Sequence, residues 1–115
     1  MSDELIHAWL RAFVLTELVE APIYRFGYRA SLPAALAASA ITHPIVWFVF
    51  FGPFAPFEGL SYLPRVVMAE TFAWLVEAGW LSATTGRPRA LGWSAIANLA
   101  SIAVGTLTRA LFEFP

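Results

Sequence analysis

Four long apolar runs, separated by short polar segments, set the pattern of this chain. They cover approximately residues 6–24, 32–54, 62–81 and 91–111. Each run is continuous rather than alternating every second residue, which favours helices over the strands of a β-barrel. At ~1.5 Å per residue, runs of this length cross a hydrocarbon core of about 30 Å. The pattern therefore predicts an all-α polytopic membrane protein with four transmembrane helices.

The segments between the runs predict how these helices are connected. They read "RFGYRAS", "GPFAPFEGLS" and "SATTGRPR", and they are short and rich in Gly, Pro and Ser, as turns are. Short connections make consecutive helices antiparallel, so we expect an up-down bundle and a single transmembrane domain over residues 1–115. The acidic start "MSDEL" is not followed by a cleavage pattern, which argues against a removable signal peptide.

The composition indicates where the apolar surface must go. Of the 115 residues, 59% are hydrophobic and 13% are charged, whereas soluble domains contain roughly 25% charged residues. A soluble chain this short cannot bury so much apolar surface in one core, so we expect the excess to face a lipid bilayer. The net charge of −1 and the lack of a basic cluster argue against nucleic acid as a partner. The sequence has no cysteine, which excludes disulfides and thiolate metal sites.

The arginines predict the orientation, since the sequence contains no lysine. Four arginines flank the first and third connecting segments: Arg25, Arg29, Arg87 and Arg89. The other three lie toward the opposite side together with acidic residues: Arg11, Arg65, Arg109, Asp3, Glu4, Glu58 and Glu113. The positive-inside rule then predicts a multi-pass protein of the prokaryotic cytoplasmic (inner) membrane with both termini outside. Aromatic residues mark the expected interfaces, outer for Trp9 and Tyr62, inner for Tyr24, Tyr28, Trp80 and Trp93.

Every predicted span carries polar side chains at a depth where lipid would surround them. They form one polar cluster, which consists of Glu17, Glu20, Ser39, His43, Glu70, Glu77, Ser94, Asn98 and Ser101. Their spacings of three, four and seven residues place the members from each span on one helix face. A charged side chain at the bilayer centre costs on the order of 2.5–3.5 kcal/mol. We therefore expect the cluster to face the bundle interior, with its acids protonated, paired or bound to a cation.

The candidate chemistry follows from the residue types in this cluster. Carboxylates with one imidazole suit a divalent cation such as Zn, Mn or Fe, so Glu20, His43 and Glu77 are the candidate ligands of a metal ion. Chains of Glu and His in membranes are also typical of proton relays. Pro44 lacks an N–H and leaves the carbonyl of Ala40 without its helical donor, which predicts a kink and a free carbonyl beside His43. Thr42 is one expected partner for that carbonyl.

The sequence favours a protein that is not an enzyme. Paired Glu-x-x-His motifs of di-iron bundles are missing, and so are a Ser-His-Asp arrangement, a Gly-rich phosphate loop and an HExxH helix. No catalytic residue is therefore assigned.

Four segments of the chain carry a resemblance to known proteins: "TELVEAP", "THPIVWF", "ETFAWLVEA" and "SAIANLAS". They resemble segments of small, uncharacterised four-span integral membrane proteins of prokaryotes. The resemblance implies that Glu20, His43, Glu77 and Asn98 belong together, and it implies no activity.

The chain length and the acid in the first helix are also similar to small multidrug exporters, which work as four-helix dimers. The glycine and aromatic pattern of their third helix is missing from "ETFAWLVEAGW", so that family is an analogy only.

Two classes of function remain open. We favour a membrane carrier or conduit that binds a proton, a metal ion or a small cation at the Glu/His cluster. The alternative is a structural or accessory subunit of a larger membrane complex, in which the cluster serves helix packing. A third interpretation, a membrane metalloenzyme, would show itself by its metal content after purification. Four short helices bury little interior, so a homo-oligomer or a membrane-protein partner is expected in each case.

The predicted orientation can be tested with single cysteines, because the natural chain has none. Cysteines at Ser31 and Thr85 should resist an impermeant thiol reagent in intact cells, since the flanking arginines hold both segments in the cytoplasm. A cysteine at Gly59 should react. The reverse labelling pattern would overturn the orientation.

Overall fold

The computed structural model describes residues 3–51 and 59–113, and these residues contain four helices and no strand. Helix α1 covers Asp3–Pro22 and continues into a π-helical turn at Ile23–Gly27. Helix α2 covers Leu32–Ile45 and continues into a second π-helical turn at Val46–Phe50. Helices α3 and α4 cover Tyr62–Thr85 and Ala90–Phe112. The predicted end of the second span at residue 54 and the predicted outer residue Glu58 lie outside the described residues.

Both π-helical turns follow a proline inside a helix. Pro22 lies at the end of α1 and Pro44 lies near the end of α2. A proline cannot donate the hydrogen bond of a regular helical turn, and its ring displaces the carbonyl four residues earlier. The helix behind each proline widens, so that Tyr28 N donates to Ile23 O at 3.1 Å and Phe51 N donates to Val46 O at 3.3 Å. The sequence predicted a disturbance at Pro44, and the structure has one directly after it.

The first and third connecting segments are fixed to each other at one end of the bundle. The Tyr28 hydroxyl hydrogen-bonds to Thr85 Oγ1 at 2.9 Å and donates to the carbonyl of Arg87 at 2.7 Å. Helix α3 ends at Gly86, whose φ of 66° is the left-handed conformation that glycine adopts without strain. The Gly86 N–H donates to Ser82 O at 2.9 Å and completes this cap. The two segments therefore close the end of the bundle opposite the chain termini.

The helices pack as a ring, each against the next and α4 against α1, as an up-down bundle requires. Its centre is built mainly from alanines, which let the helices approach closely. Beside these alanines, the core cluster contains Tyr24, Tyr28 and Leu81, each at most 3% exposed. The prediction of an all-α four-helix bundle is confirmed.

The bundle buries polar side chains and exposes many large apolar ones. Among the described residues, six polar side chains are buried: Glu20, Ser39, Thr42, Glu77, Ser94 and Asn98. Large apolar side chains cover the exterior of every helix, and examples are Leu18, Leu63 and Leu111, each more than two-thirds exposed. In the described part of the chain, two helical stretches are long and apolar enough to cross a membrane, Leu32–Phe50 and Ala90–Phe112.

Tyr24 and Tyr28, which the sequence assigned to the inner interface, do not lie on the surface of the bundle. Tyr24 has no exposed surface and Tyr28 is 3% exposed, so neither ring forms part of a surface belt. Both hydroxyl groups have partners inside the protein, which compensates for their burial.

Packing between α4 and the first π-helical turn gives a test of this fold. A Cβ atom added at Gly27 would lie 2.5 Å from Cζ3 of Trp93, whose ring packs against the core. We expect Gly27→Ala to lower the free energy of unfolding by about 1–3 kcal/mol, because the ring must be displaced. Gly79→Ala is the matched control, since no atom lies within 4 Å of its added Cβ. Circular dichroism during thermal unfolding in detergent measures both, and equal stability of the two variants would contradict the packing.

Candidate functional site

Two carboxyl groups lie side by side at the centre of the bundle. Glu20 projects from α1 and Glu77 from α3, and each residue is 2% exposed. Both line one cavity, and Ser101 and Asn98 on α4 connect the hydrogen bonds of Glu20 to those of Glu77. We call these two residues the carboxyl pair. The sequence predicted that they would share one buried depth, and the structure brings them together.

Glu77 accepts hydrogen bonds from three neutral side chains. Tyr24 Oη donates to its Oε1 at 2.5 Å, and Asn98 Nδ2 donates to the same oxygen at 3.2 Å. Thr42 Oγ1 donates to Oε2 at 2.6 Å. These donors come from the turn after α1, from α4 and from α2, so Glu77 connects α3 to the other three helices.

Glu20 has its own hydroxyl donors. Ser39 Oγ on α2 donates to Oε1 at 2.8 Å, and Ser101 Oγ on α4 donates to Oε2 at 2.5 Å. All four oxygens of the carboxyl pair therefore accept at least one hydrogen bond. Such bonds offset part of the free energy that burying two carboxyl groups costs.

Ser94 orients two of the donors of Glu77. Its hydroxyl donates to the carbonyl of Trp74 at 2.9 Å. The Tyr24 hydroxyl donates to Ser94 Oγ at 3.4 Å, and Asn98 Nδ2 donates to Ser94 Oγ at 3.3 Å. Asn98 Nδ2 also donates to the Ser94 carbonyl at 2.9 Å. The predicted Ser94, Asn98 and Ser101 stripe on α4 thus faces the carboxyl pair.

A cavity of about 160 Å³ reaches the carboxyl pair from the end of the bundle that carries the chain termini. Thr16, Thr42 and Asn98 contribute polar surface near its base, whereas Glu70 and Arg109 line it farther out. Glu70 and Arg109 also line a wider space of about 390 Å³, together with Leu5 at the start of α1 and Tyr62 at the start of α3. We call this wider space the vestibule. The carboxyl pair is therefore reached from one end of the bundle.

His43 lines the same cavity but makes no hydrogen bond through its ring Nδ1 to any described residue. Its ring lies among aromatic rings, with centroid distances of 5.5 Å to Phe13, 6.1 Å to Trp47 and 6.4 Å to Trp9. In residues 3–51 and 59–113, no three His, Asp or Glu side chains are arranged to hold a metal ion. The geometry thus gives no support to a metal site at Glu20, His43 and Glu77, which stays a sequence prediction.

The structure separates Glu17 from the cavity that Glu20 and Glu70 line. Glu17 lines an apolar groove of about 530 Å³ on the outer side of α1 and α2, together with Phe13, Leu18 and Leu36. Its Oε1 atom is buried without a hydrogen-bond partner among the described residues. Glu17 is therefore a neighbour of the carboxyl pair along α1 rather than a part of its cavity.

Sequence reasoning missed two direct partners of Glu77. Thr42 was expected to bond the free carbonyl of Ala40, but its hydroxyl donates to Glu77 and lies 3.4 Å from the carbonyl of Ala38. Tyr24 was assigned to an interface because tyrosines are common there. The signal that could have found both is helical spacing, since Tyr24 follows Glu20 by four residues and Thr42 follows Ser39 by three.

No family model, curated protein or solved structure matches the chain. The interpretation of the site therefore depends on its geometry.

The contribution of the Thr42 hydroxyl to folding can be measured with two matched variants. We expect Thr42→Val to lower the free energy of unfolding by ~1 kcal/mol, because one oxygen of Glu77 loses its hydroxyl donor. Thr71→Val is the control, since the exposed Thr71 hydroxyl donates only to the Val67 carbonyl of its own helix. Unfolding of both variants in detergent, followed by circular dichroism, gives the comparison. An unchanged stability for Thr42→Val would show that this bond is not needed.

Proposed function

We propose that this chain is an integral membrane protein whose four helices all span the bilayer, and that it binds and conducts a proton or a small cation at Glu20 and Glu77. One observation carries the proposal: a cavity leads from one end of the bundle to a buried pair of carboxyl groups. Intramembrane ionisable residues typically mark ion pathways and proton relays.

The distribution of side chains supports a membrane location for all four helices. Exposed apolar surface of this extent is typical of a protein that contacts lipid. Helices α1 and α3 carry more acidic residues than the two most apolar helices, but their most buried acids, Glu20 and Glu77, point into the bundle. Arg11 is exposed on α1 but lies within ~12 Å of its start, so its long side chain can extend to the interface.

The carboxyl pair is suited to hold one proton. Two adjacent carboxylates in a medium of low dielectric constant repel each other, so we expect one of the two groups to be protonated. A proton shared in this way can leave and return without a large rearrangement, because the neutral donors stabilise the remaining negative charge.

The direction of access follows from the predicted orientation. With both termini outside, the vestibule opens to the outside of a prokaryotic cytoplasmic membrane. Tyr24, Tyr28 and Leu81 fill the core on the other side of the carboxyl pair. Passage through the whole membrane therefore requires that these side chains move. The π-helical turn at Ile23–Gly27 carries Tyr24, and such turns are often found at functional sites. A homo-oligomer or a membrane-protein partner would cover part of the apolar exterior.

The accessory-subunit alternative is favoured by a different observation. Every oxygen of the carboxyl pair has a donor within the protein, as expected of a network that serves packing alone. A network that serves packing alone does not need a cavity that leads to it. For this reason we prefer the interpretation as a conduit to that as an accessory subunit.

Flux measurements on reconstituted protein test the proposal. Purified protein is placed in liposomes that contain a pH-sensitive dye, and a membrane potential drives ions inward. We expect proton or cation uptake by the natural protein, and uptake at the level of empty liposomes for Glu77→Gln, because the amide cannot carry the exchangeable proton or charge. Glu20→Gln is a second variant with the same expected loss.

Glu4→Gln is the control, since Glu4 is exposed in the first turn of α1. Its flux should equal that of the natural protein, and circular dichroism confirms that each variant is folded. If the natural protein moves neither protons nor cations, or if folded Glu77→Gln and Glu20→Gln conduct normally, the conduit is wrong. The accessory subunit is then the better interpretation.

A further inference from the structure

The groups around the carboxyl pair are arranged unfavourably for a metal ion or an organic cation. A bound cation needs oxygen lone pairs directed at it. Here Tyr24, Thr42 and Asn98 direct their hydrogen atoms at Glu77. Ser39 and Ser101 direct theirs at Glu20. A cation would have to displace these short bonds, whereas a proton needs only one lone pair of a single oxygen.

The entrance of the cavity carries the permanent positive charge of Arg109. Arg109 on α4 lines both the inner cavity and the vestibule, as Glu70 on α3 does, so an ion entering from this end passes both side chains. A guanidinium group is protonated at all physiological pH values. An arginine beside such a passage repels cations, as the lining charges of other selective pores do.

The size of the cavity is sufficient for water. A volume of about 160 Å³ holds several water molecules. Its polar wall, with Thr16, Glu70 and Ser101, offers such molecules hydrogen-bond partners. A proton can pass along a chain of water molecules, whereas a metal ion or an ammonium compound must itself move past Arg109 and give up its own hydration.

From these three features we propose that the cavity admits protons only, and that Arg109 is the residue that excludes other cations. This inference rests on the proposed function and specifies its substrate. A proton meets the same repulsion from Arg109, but it ends in a covalent O–H bond on Glu20 or Glu77. Other cations meet the repulsion and must compete for space around the carboxyl oxygens with the hydrogen-bond donors that already approach them.

Other titratable groups lie near this path, but those named here are carboxyl, phenol and imidazole groups, and none of them is a permanent cation as Arg109 is. Glu20 lines the path from α1, His43 from α2, and Glu70 and Glu77 from α3. Tyr24 contacts Glu77 from the turn after α1. Glu17 lies on the groove side of α1. Arg109 is the basic side chain that α4 contributes to this lining.

The same liposomes test the selectivity, now with three ions measured in parallel: protons by the internal dye, and radiolabelled sodium and methylammonium by uptake. The natural protein should move protons and leave sodium and methylammonium at the level of empty liposomes. Arg109→Gln should raise sodium or methylammonium uptake about tenfold, the order expected when one unit charge ~10 Å from the path is removed at an effective dielectric constant of about 20. Arg109→Lys retains the charge and should behave as the natural protein does.

Arg11→Gln is the matched control. Arg11 lies on the same predicted side of the membrane, but it lines an apolar groove outside the bundle and not the cavity. Its removal should leave the selectivity unchanged. The measurement of the three ions with the natural protein does not depend on how well any variant folds.

The outcomes separate the two proposals. Sodium or methylammonium uptake by the natural protein would overturn the proton selectivity and leave the proposed conductance in place. A folded Arg109→Gln that still excludes both ions would show that Arg109 is not the filter, and so would a changed selectivity in Arg11→Gln. If no ion moves through the natural protein, this inference and the proposed function both fail.

Discussion

The burial of the two carboxyl groups is the constraint on which the rest of this structure depends. Glu20 and Glu77 lie at the centre of the bundle, and each residue is 2% exposed. An unpaired polar group in such a place costs free energy that no single apolar contact offsets. The protein meets this cost with neutral donors from the turn after α1, from α2 and from α4. The relative rotation and depth of the four helices must keep these donors within reach.

The alanine-rich core follows from the same constraint. The hydroxyl groups of Ser39, Thr42 and Ser101 are short, and they reach a carboxyl group on another helix only if the helix axes are close. Alanines such as Ala35, Ala38, Ala69 and Ala97, all without exposed surface, permit this approach. The small side chains and the polar network are therefore two parts of one arrangement, in which close packing and hydrogen bonding support each other.

Neutral donors also decide what the site can do. Donors with a full positive charge would hold both carboxyl groups ionised, as in a structural ion pair. Hydroxyl and amide donors stabilise a negative charge less strongly, which leaves room for a proton on the pair. The cavity that ends at the pair, with Arg109 toward its mouth, connects this chemistry to one end of the bundle. The prolines precede both π-helical turns, in which the backbone departs from regular helical bonding.

The sequence by itself determined the helices and, apart from Thr42, the polar residues that the described structure buries. Continuous apolar runs and Gly- and Pro-rich turns specify helices locally, and the observed bounds follow the predicted ones within a few residues where the structure describes them. Spacing of three, four and seven residues showed which polar side chains share a face, because that periodicity belongs to a single helix. Only the tertiary structure decided the partners: that Tyr24 and Thr42 bond to Glu77, that Glu17 faces a groove, and that the ring of His43 lies among aromatic rings. The physical reason is that these contacts depend on the rotation and depth of one helix against another. Those quantities come from packing between distant parts of the chain, and no local pattern encodes them.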